Sequence, residues 1–297
     1  MYNDTKLVEI FITIDDFAKN YSEWEAKNSL PFASNRGFNP KMSDSEIATI
    51  MILYHLSGYK CFEYFYREDI LGHRRKDFPQ AVSYNRFVEI MYRAGRLLFL
   101  FAQYSGALGE KTGTYFIDST KLGVCNNRRI NANKVCATKA SRGKTSCGWF
   151  FGFKLHLVVN NLGQMVQCLF TTGSKSDNDA KVLKSLLANL KGSCFGDKGY
   201  MTKLFEYFKN NDLNLVTKIR KNMKNKFQSI KDKMLLNKRG VIESIFDILK
   251  TVCDLEHTRH RNVENLFGNT FASLGAYHFI DRKPSICIFE KTVKIKN

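Results

Sequence analysis

The 297-residue sequence is short of acid. Its 28 Asp and Glu stand against 46 Lys and Arg, a formal net charge of +18, and such a deficit leaves a field that attracts polyanions, nucleic acid first among them. It lacks any Cys-x-x-Cys pair. The eight cysteines, at positions 61, 125, 136, 147, 168, 194, 253 and 287, are scattered, which speaks against a zinc ribbon or a disulfide framework. Cys125, Cys136 and Cys147, with His156 beyond, could be drawn as a zinc site, but tetrahedral zinc usually takes closely spaced ligand pairs. No apolar run approaches the roughly 18 residues of a membrane span, and the polar start Met1-Tyr-Asn-Asp4 lacks the layout of a signal peptide. No long helix joins a basic face to an apolar one, as a membrane-surface protein would need. The expectation is a cytosolic, nucleoid-associated protein with no membrane partner.

What is present suits a globular chain: 44 % hydrophobic and 13 % aromatic residues, at a length that fits one large domain or two smaller ones. Residues 1 to about 105 read as helical. Ser43-Asp-Ser-Glu46 is a capping-box pattern, followed by Ile47, Ile50, Met51 and Tyr54 at helical spacing until Gly58. A second helix is expected over Cys61 to Leu71, then a basic turn at His73 to Lys76. A third starts near Ser83, with Phe87, Ile90, Met91, Ala94 and Leu98 inward and Arg86, Arg93 and Arg96 on another side. This is either a DNA-recognition module allied to helix-turn-helix folds or an ordinary bundle with solvated arginines.

Thr112 to Thr120 reads as the first strand of a sheet, ending in Asp118. The long connection Lys121 to Gly148 carries Lys121, Arg128, Arg129, Lys134, Lys139, Arg142 and Lys144 with few large apolar residues; it is expected to be irregular and to meet a DNA backbone. Trp149 to Val159 and Met165 to Thr171, joined by a turn at Asn160 to Gly163, complete three antiparallel strands. His156 reads as a packed histidine before a ligand, and Asp177 and Asp179 as capping acids of a helix at 180 to 190. Gly192 to Gly196 forms a short strand ending at Asp197. A helix near 202 to 210, a strand at Leu213 to Ile219 and a Lys-rich loop to Lys238 lead to a helix at Gly240 to Val252, whose buried stripe is Val241, Ile242, Ile245, Ile248 and Leu249. Arg239, Glu243, Asp247 and Lys250 share another face. The element order is that of a ribonuclease-H-like mixed α/β sheet flanked by helices, after an all-α N-terminal region. The expected division is a helical region over 1–108 and a catalytic domain with a C-terminal helix over 109–297.

Asp118, Asp197 and Glu243 are the candidate metal ligands, with Asp247 the rival of Glu243. Phosphodiester cleavage needs an activated oxygen nucleophile, charge relief at phosphorus and support for the leaving 3′ oxygen. Two Mg²⁺ ions about 3.5 to 4 Å apart supply these, with Mn²⁺ able to substitute, and hard oxygen ligands suit them. Asp118 would bridge both ions, Asp197 holding one and Glu243 the other. Water and a DNA 3′ hydroxyl can serve the same pocket in turn.

Phe116-Ile-Asp-Ser-Thr120, Gly143 to Leu157, Phe195-Gly-Asp-Lys-Gly-Tyr200 and Arg239 to Lys250 together resemble bacterial insertion-sequence transposases of the Asp-Asp-Glu class, most closely the 982 family. The resemblance implies a ribonuclease-H-like catalytic domain, a helical DNA-binding N-terminal region, Mg²⁺ dependence and the catalytic acids Asp118, Asp197 and Glu243. It implies as partners the terminal inverted repeats of an element and a target duplex, engaged by a homodimer. Arg128, Arg129, Arg142, Lys144, Arg239 and Lys250 are the candidate DNA contacts. Related transposases carry a tyrosine, arginine, glutamate, lysine pattern on the last catalytic helix; here the tyrosine position holds Leu236. A ribonuclease-H-like nuclease or resolvase without strand transfer, and an inactive DNA-binding relic, are the competing readings.

Overall fold

The computed structural model describes residues 3–28, 40–146, 148–218, 229–256, 260 and 262–286. The first of these begin with helix α1 (Asp4–Asn28), which buries Leu7, Ile10 and Ile14. Helix α2 (Asp44–Ser57) has the capping box that its sequence foretells: the Ser43 hydroxyl accepts from the Glu46 N–H and the Glu46 carboxylate accepts from the Ser43 N–H. Gly58, at φ 80°, closes the helix in the left-handed conformation that glycine adopts freely. The expected second helix is a single α turn, α3 (Phe62–Phe65), that widens into a π-helical stretch over Tyr66–His73. Helix α4 (Tyr84–Ile90) passes through a 3₁₀ turn, Met91–Ala94, into α5 (Gly95–Ala107). Phe87, Ile90, Met91, Ala94 and Leu98 are all buried, as their spacing requires.

Strand β1 (Thr114–Cys125) opens the sheet. It does not stop at Asp118, as expected, but continues for seven residues. Nor is the stretch from Lys121 to Gly148 an irregular excursion. Its first part completes β1, a 3₁₀ turn occupies Asn127–Ala132, and β2 (Ser141–Thr145) forms a hairpin with β3 (Gly148–Asn160). A pattern rich in Lys, Asn and Ser hid these elements because their ladder bonds come from the apolar β3, on whose edge a polar strand can ride. Strand β4 (Met165–Thr172) pairs with β3, and helix α6 (Ala180–Leu186) follows. Strand β5 (Gly192–Gly196), helix α7 (Phe205–Asn210) and strand β6 (Leu213–Thr217) come next. The Lys-rich loop expected up to Lys238 gives way at its end to α8 (Ile230–Asn237); its earlier part, 219–228, lies outside the described residues. Helices α9 (Gly240–Thr251) and α10 (Val263–His278) complete the described elements.

The sheet runs β2-β3-β1-β5-β6, with β4 also on β3. β1, β3 and β4 are antiparallel neighbours, while β5 lies parallel to β1 and β6 parallel to β5. An antiparallel meander extended by parallel strands through helical crossovers is the ribonuclease-H-like arrangement. One face of this sheet packs Tyr115, Ile117 and Val158 with Val182, Leu183 and Leu186 of α6 and with Tyr200 and Phe208.

By contacts the chain forms two compact units: 1–105, 133–136 and 247–280 in one, 106–132, 137–246 and 281–297 in the other. The expected boundary near residue 108 assigned the C-terminal helix to the catalytic domain, whereas α10 clusters with the N-terminal helices. Its buried Leu266, Ala272, Leu274 and Ala276 find their apolar partners there, including Met51 and Ile52 near Gly268 and Gly275.

Candidate active site

Two adjacent parallel strands bring the first two acids together. The last paired residues of β1 and β5 are Phe116 and Phe195, whose rings lie 5.8 Å apart. Asp118 and Asp197 each stand two residues further on, so by the two-residue repeat of a strand they fall at the same level as one another. Beyond this point β1 stays paired with β3 alone, Asp118 opposite Leu157. The sheet therefore opens on the β5 side where the acids stand.

Asp197 is fixed by the turn that follows it. Its side chain accepts from the Gly199 N–H at 2.6 Å. A Cβ on residue 199 would come within 2.8 Å of the Asp197 carboxylate, so glycine here permits the close approach. Asp118 is held by two donors: the Ser119 N–H at 2.8 Å to Oδ1, and Arg239 Nη1 at 2.7 Å to Oδ2. The other arm of the same guanidinium, Nη2, donates to Glu243 Oε1, one helical turn further along. Arg239 thus bridges the first and third acids, while Asp247 takes no part in that pairing. Burial raises the Asp118 pKa above the usual carboxylate value, against the pull of Arg239 and the Ser119 N–H. For Arg239, burial works against the cation, but Asp118 and Glu243 outweigh it and its pKa is raised.

The charged groups expected to meet DNA divide into two kinds. Arg128, Arg129, Arg142 and Lys144 are exposed, and Lys144 lies over the ring of Trp149, itself 62 % exposed. Arg239 is largely buried between its two acids, and Lys250 is paired with Glu256 at 2.8 Å. In the helical unit the three arginines are also engaged, Arg86 with Glu89, Arg93 with Asp44 and Arg96 with Glu25.

Asp177 corrects the sequence reading. Asp179 caps α6, accepting from the Lys181 and Val182 N–H groups, but Asp177 does not. Its Oδ1 accepts from the Ser119 hydroxyl at 2.9 Å and from Lys154 Nζ at 3.1 Å. His156 is the packed histidine expected: it is fully buried, its Nε2 lies 3.0 Å from the Thr171 hydroxyl, and burial pushes its pKa down to about 4, so it is neutral near pH 7. The Tyr200 hydroxyl is buried beside Ser119, close to Asp118, Asp177 and Asp197. One signal for this cluster was legible: Lys154 is a charge inside the otherwise apolar run Phe150–Val159, and a buried lysine almost always has a partner.

The chain matches the family model of the transposase DDE domain over residues 108–263, more than half its length. It belongs to the DDE transposases. No curated protein matches the chain. The domain carries polynucleotidyl transferase chemistry on DNA in general, with divalent metals as the usual helpers. In this transposase three carboxylates offer the hard oxygen donors that such ions take, and a cation, the Arg239 guanidinium, already sits between two of them. Among the described residues no group of three or more His, Cys, Asp or Glu is placed to hold an ion as it stands. The donors suit a divalent ion in kind, but Arg239 closes the arrangement. Among the described residues no helix is long and apolar enough to cross a membrane; of the drawn zinc set, position 147 lies outside them.

Proposed function

We propose that this transposase, an insertion-sequence enzyme close to the 982 family, cuts DNA at the ends of its element and joins the exposed 3′ hydroxyl to a target duplex. The observation that carries the reading is the single guanidinium of Arg239 linking Asp118 to Glu243, with Asp197 at the matching level of the next strand. Two acids far apart in sequence, Asp118 and Glu243, are thereby joined through one side chain.

In this reading Asp118, Asp197 and Glu243 would hold two Mg²⁺ ions, or Mn²⁺, with Arg239 turned from at least one acid. The bound ions supply an activated oxygen nucleophile and charge relief on the phosphate and on the leaving oxygen. The chain's own residues do the rest. The Gly199 and Ser119 N–H groups hold the two aspartates in place, so the ligands need little reorganisation. A freed Arg239 is then available to a phosphate oxygen beside the acids, a role its planar fork suits. Arg128, Arg129, Arg142 and Lys144 attract and orient the flanking duplex without reading its sequence. The helical unit binds the terminal repeats, and a homodimer brings two ends together. Work on DNA places the protein with the nucleoid.

Incubating the protein and Mg²⁺ with a duplex bearing the inverted repeats that flank its gene should give joined products. Asp118→Asn should abolish joining while DNA binding persists, and full joining by that variant would sink the assignment. Cleavage without joined products would favour a nuclease, and binding alone a relic.

A further inference from the structure

We propose that Asp177, Lys154 and Ser119 form a brace on the far side of β1 that positions Asp118 for the reaction; the inference rests on the reading of Asp118 as a catalytic acid. Side chains alternate along a strand, so Asp118 and Ser119 emerge on opposite faces of the sheet. Asp118 meets Arg239 on one face, and the Ser119 hydroxyl meets Asp177 on the other. Any displacement of residue 119 is passed directly to its neighbour. It is also passed through the bond from the Ser119 N–H to Asp118 Oδ1.

The brace stands where the sheet provides least support. At Phe116 the strand has neighbours on both sides; two residues later it has lost β5 and keeps only β3. The chain between β4 and α6 is tied to both strands that remain. Asp177, on that segment, accepts from Ser119 of β1 and from Lys154 of β3 through the same oxygen. Lys154 holds the segment a second time, donating to the Lys175 carbonyl at 2.9 Å. Its side chain is only 8 % exposed. Buried ion pairs are poor sources of stability, since apolar side chains of similar volume do as well or better. What this one adds is direction: two strands and a loop are tied at one carboxylate, next to a candidate catalytic acid. His156, opposite Ser119 in the ladder, walls the cluster, its Nδ1 3.9 Å from Asp177.

Among the described residues Asp177 makes no hydrogen bond or ion pair to the three candidate ligands; its bond is to Ser119, with Gly199 close by, and it is a positioning residue. Supporting partners of this kind typically change metal affinity or activity 10- to 100-fold, and a displacement of about 1 Å at a reacting centre can cost about 100-fold.

The test uses the full chain, a duplex carrying the flanking inverted repeats, and Mn²⁺ alone as an independent probe followed by electron paramagnetic resonance. Ser119→Ala should slow cleavage at saturating DNA by about 10-fold and Asp177→Ala by about 100-fold, with KM for DNA and the melting temperature near wild type. Both should weaken Mn²⁺ binding. The double variant should be no worse than Asp177→Ala, because the two act through one link. Ser119→Thr, which keeps the hydroxyl, should restore the rate. Should Lys154→Met fail to fold, Lys154→Met with Asp177→Leu removes both charges and should fold but cleave slowly. Wild-type cleavage or unchanged Mn²⁺ affinity in Ser119→Ala, or full multiplication of the two single effects, overturns the brace. Full joining by Asp118→Asn would instead overturn the reading of the reaction, leaving the Mn²⁺ comparison to judge the brace.

Discussion

Arg239 Nη1 lies 2.7 Å from Asp118 Oδ2, and through its second arm the same side chain holds Glu243. A cation that occupies two candidate metal ligands competes with a metal for them. Arg239→Gln should therefore bind Mn²⁺ about 10-fold more tightly in the absence of DNA, the equivalent of roughly 1.4 kcal/mol, the size of one ordinary hydrogen bond. Calorimetric titration measures it. The same variant should bind DNA ends less tightly, and a weaker Mn²⁺ affinity would count against competition.

Asp177 and Asp179 are two residues apart and should behave differently. Asp179 caps a helix with two backbone bonds, so Asp179→Ala should cost about 1 kcal/mol of stability and leave the cleavage rate of the folded protein unchanged. Thermal melting and single-turnover cleavage on the same preparations separate the two acids.

Gly199 lets the backbone approach Asp197. Gly199→Ala places a methyl 2.8 Å from the carboxylate, a contact that the carboxylate must yield to. Cleavage should fall by ~10-fold or more, as expected when a positioned group shifts by a fraction of an ångström, with little change in DNA affinity measured by anisotropy.

Stability should fall in acid. Burial holds the pKa of His55 at about 4, against an ordinary 6.5, with Asp254 opposing that shift and His260 adding to it. Between these values the unfolded chain binds the proton and the folded chain does not, so stability rises with pH in that window. The contribution is complete above about pH 6.5 and is lost as pH falls toward 4. It amounts to on the order of 3 kcal/mol for this histidine. His260 and His156 act in the same direction. Urea midpoints at pH 5 and 7.5 should differ, and by less in His55→Met.

DNA affinity should depend steeply on salt. Arg142→Ala and Lys144→Ala, at exposed positions of the hairpin, should each reduce the slope of log K against log salt by about 1. Arg96→Ala should reduce it less, because that side chain is already paired with Glu25 and stacked on Tyr21.

The sequence by itself determined what local chemistry can determine. The capping box and left-handed Gly58 bound α2, alternation along Phe151 to Val159 marks β3, the stripe from Val241 to Leu249 marks α9, and the acids at 118 and 197 announce themselves where apolar runs meet charge. These signals depend on residues a few positions apart. Only the tertiary structure decided that β1 continues past Asp118, because its further pairing comes from β3, thirty positions away. It alone assigned Asp177 to Ser119 and Lys154 rather than to a helix cap, and gave Arg239 two acids at once. Hydrogen bonds between distant segments leave no period in the sequence, and the partner of a charged side chain is settled by which strands the fold lays side by side.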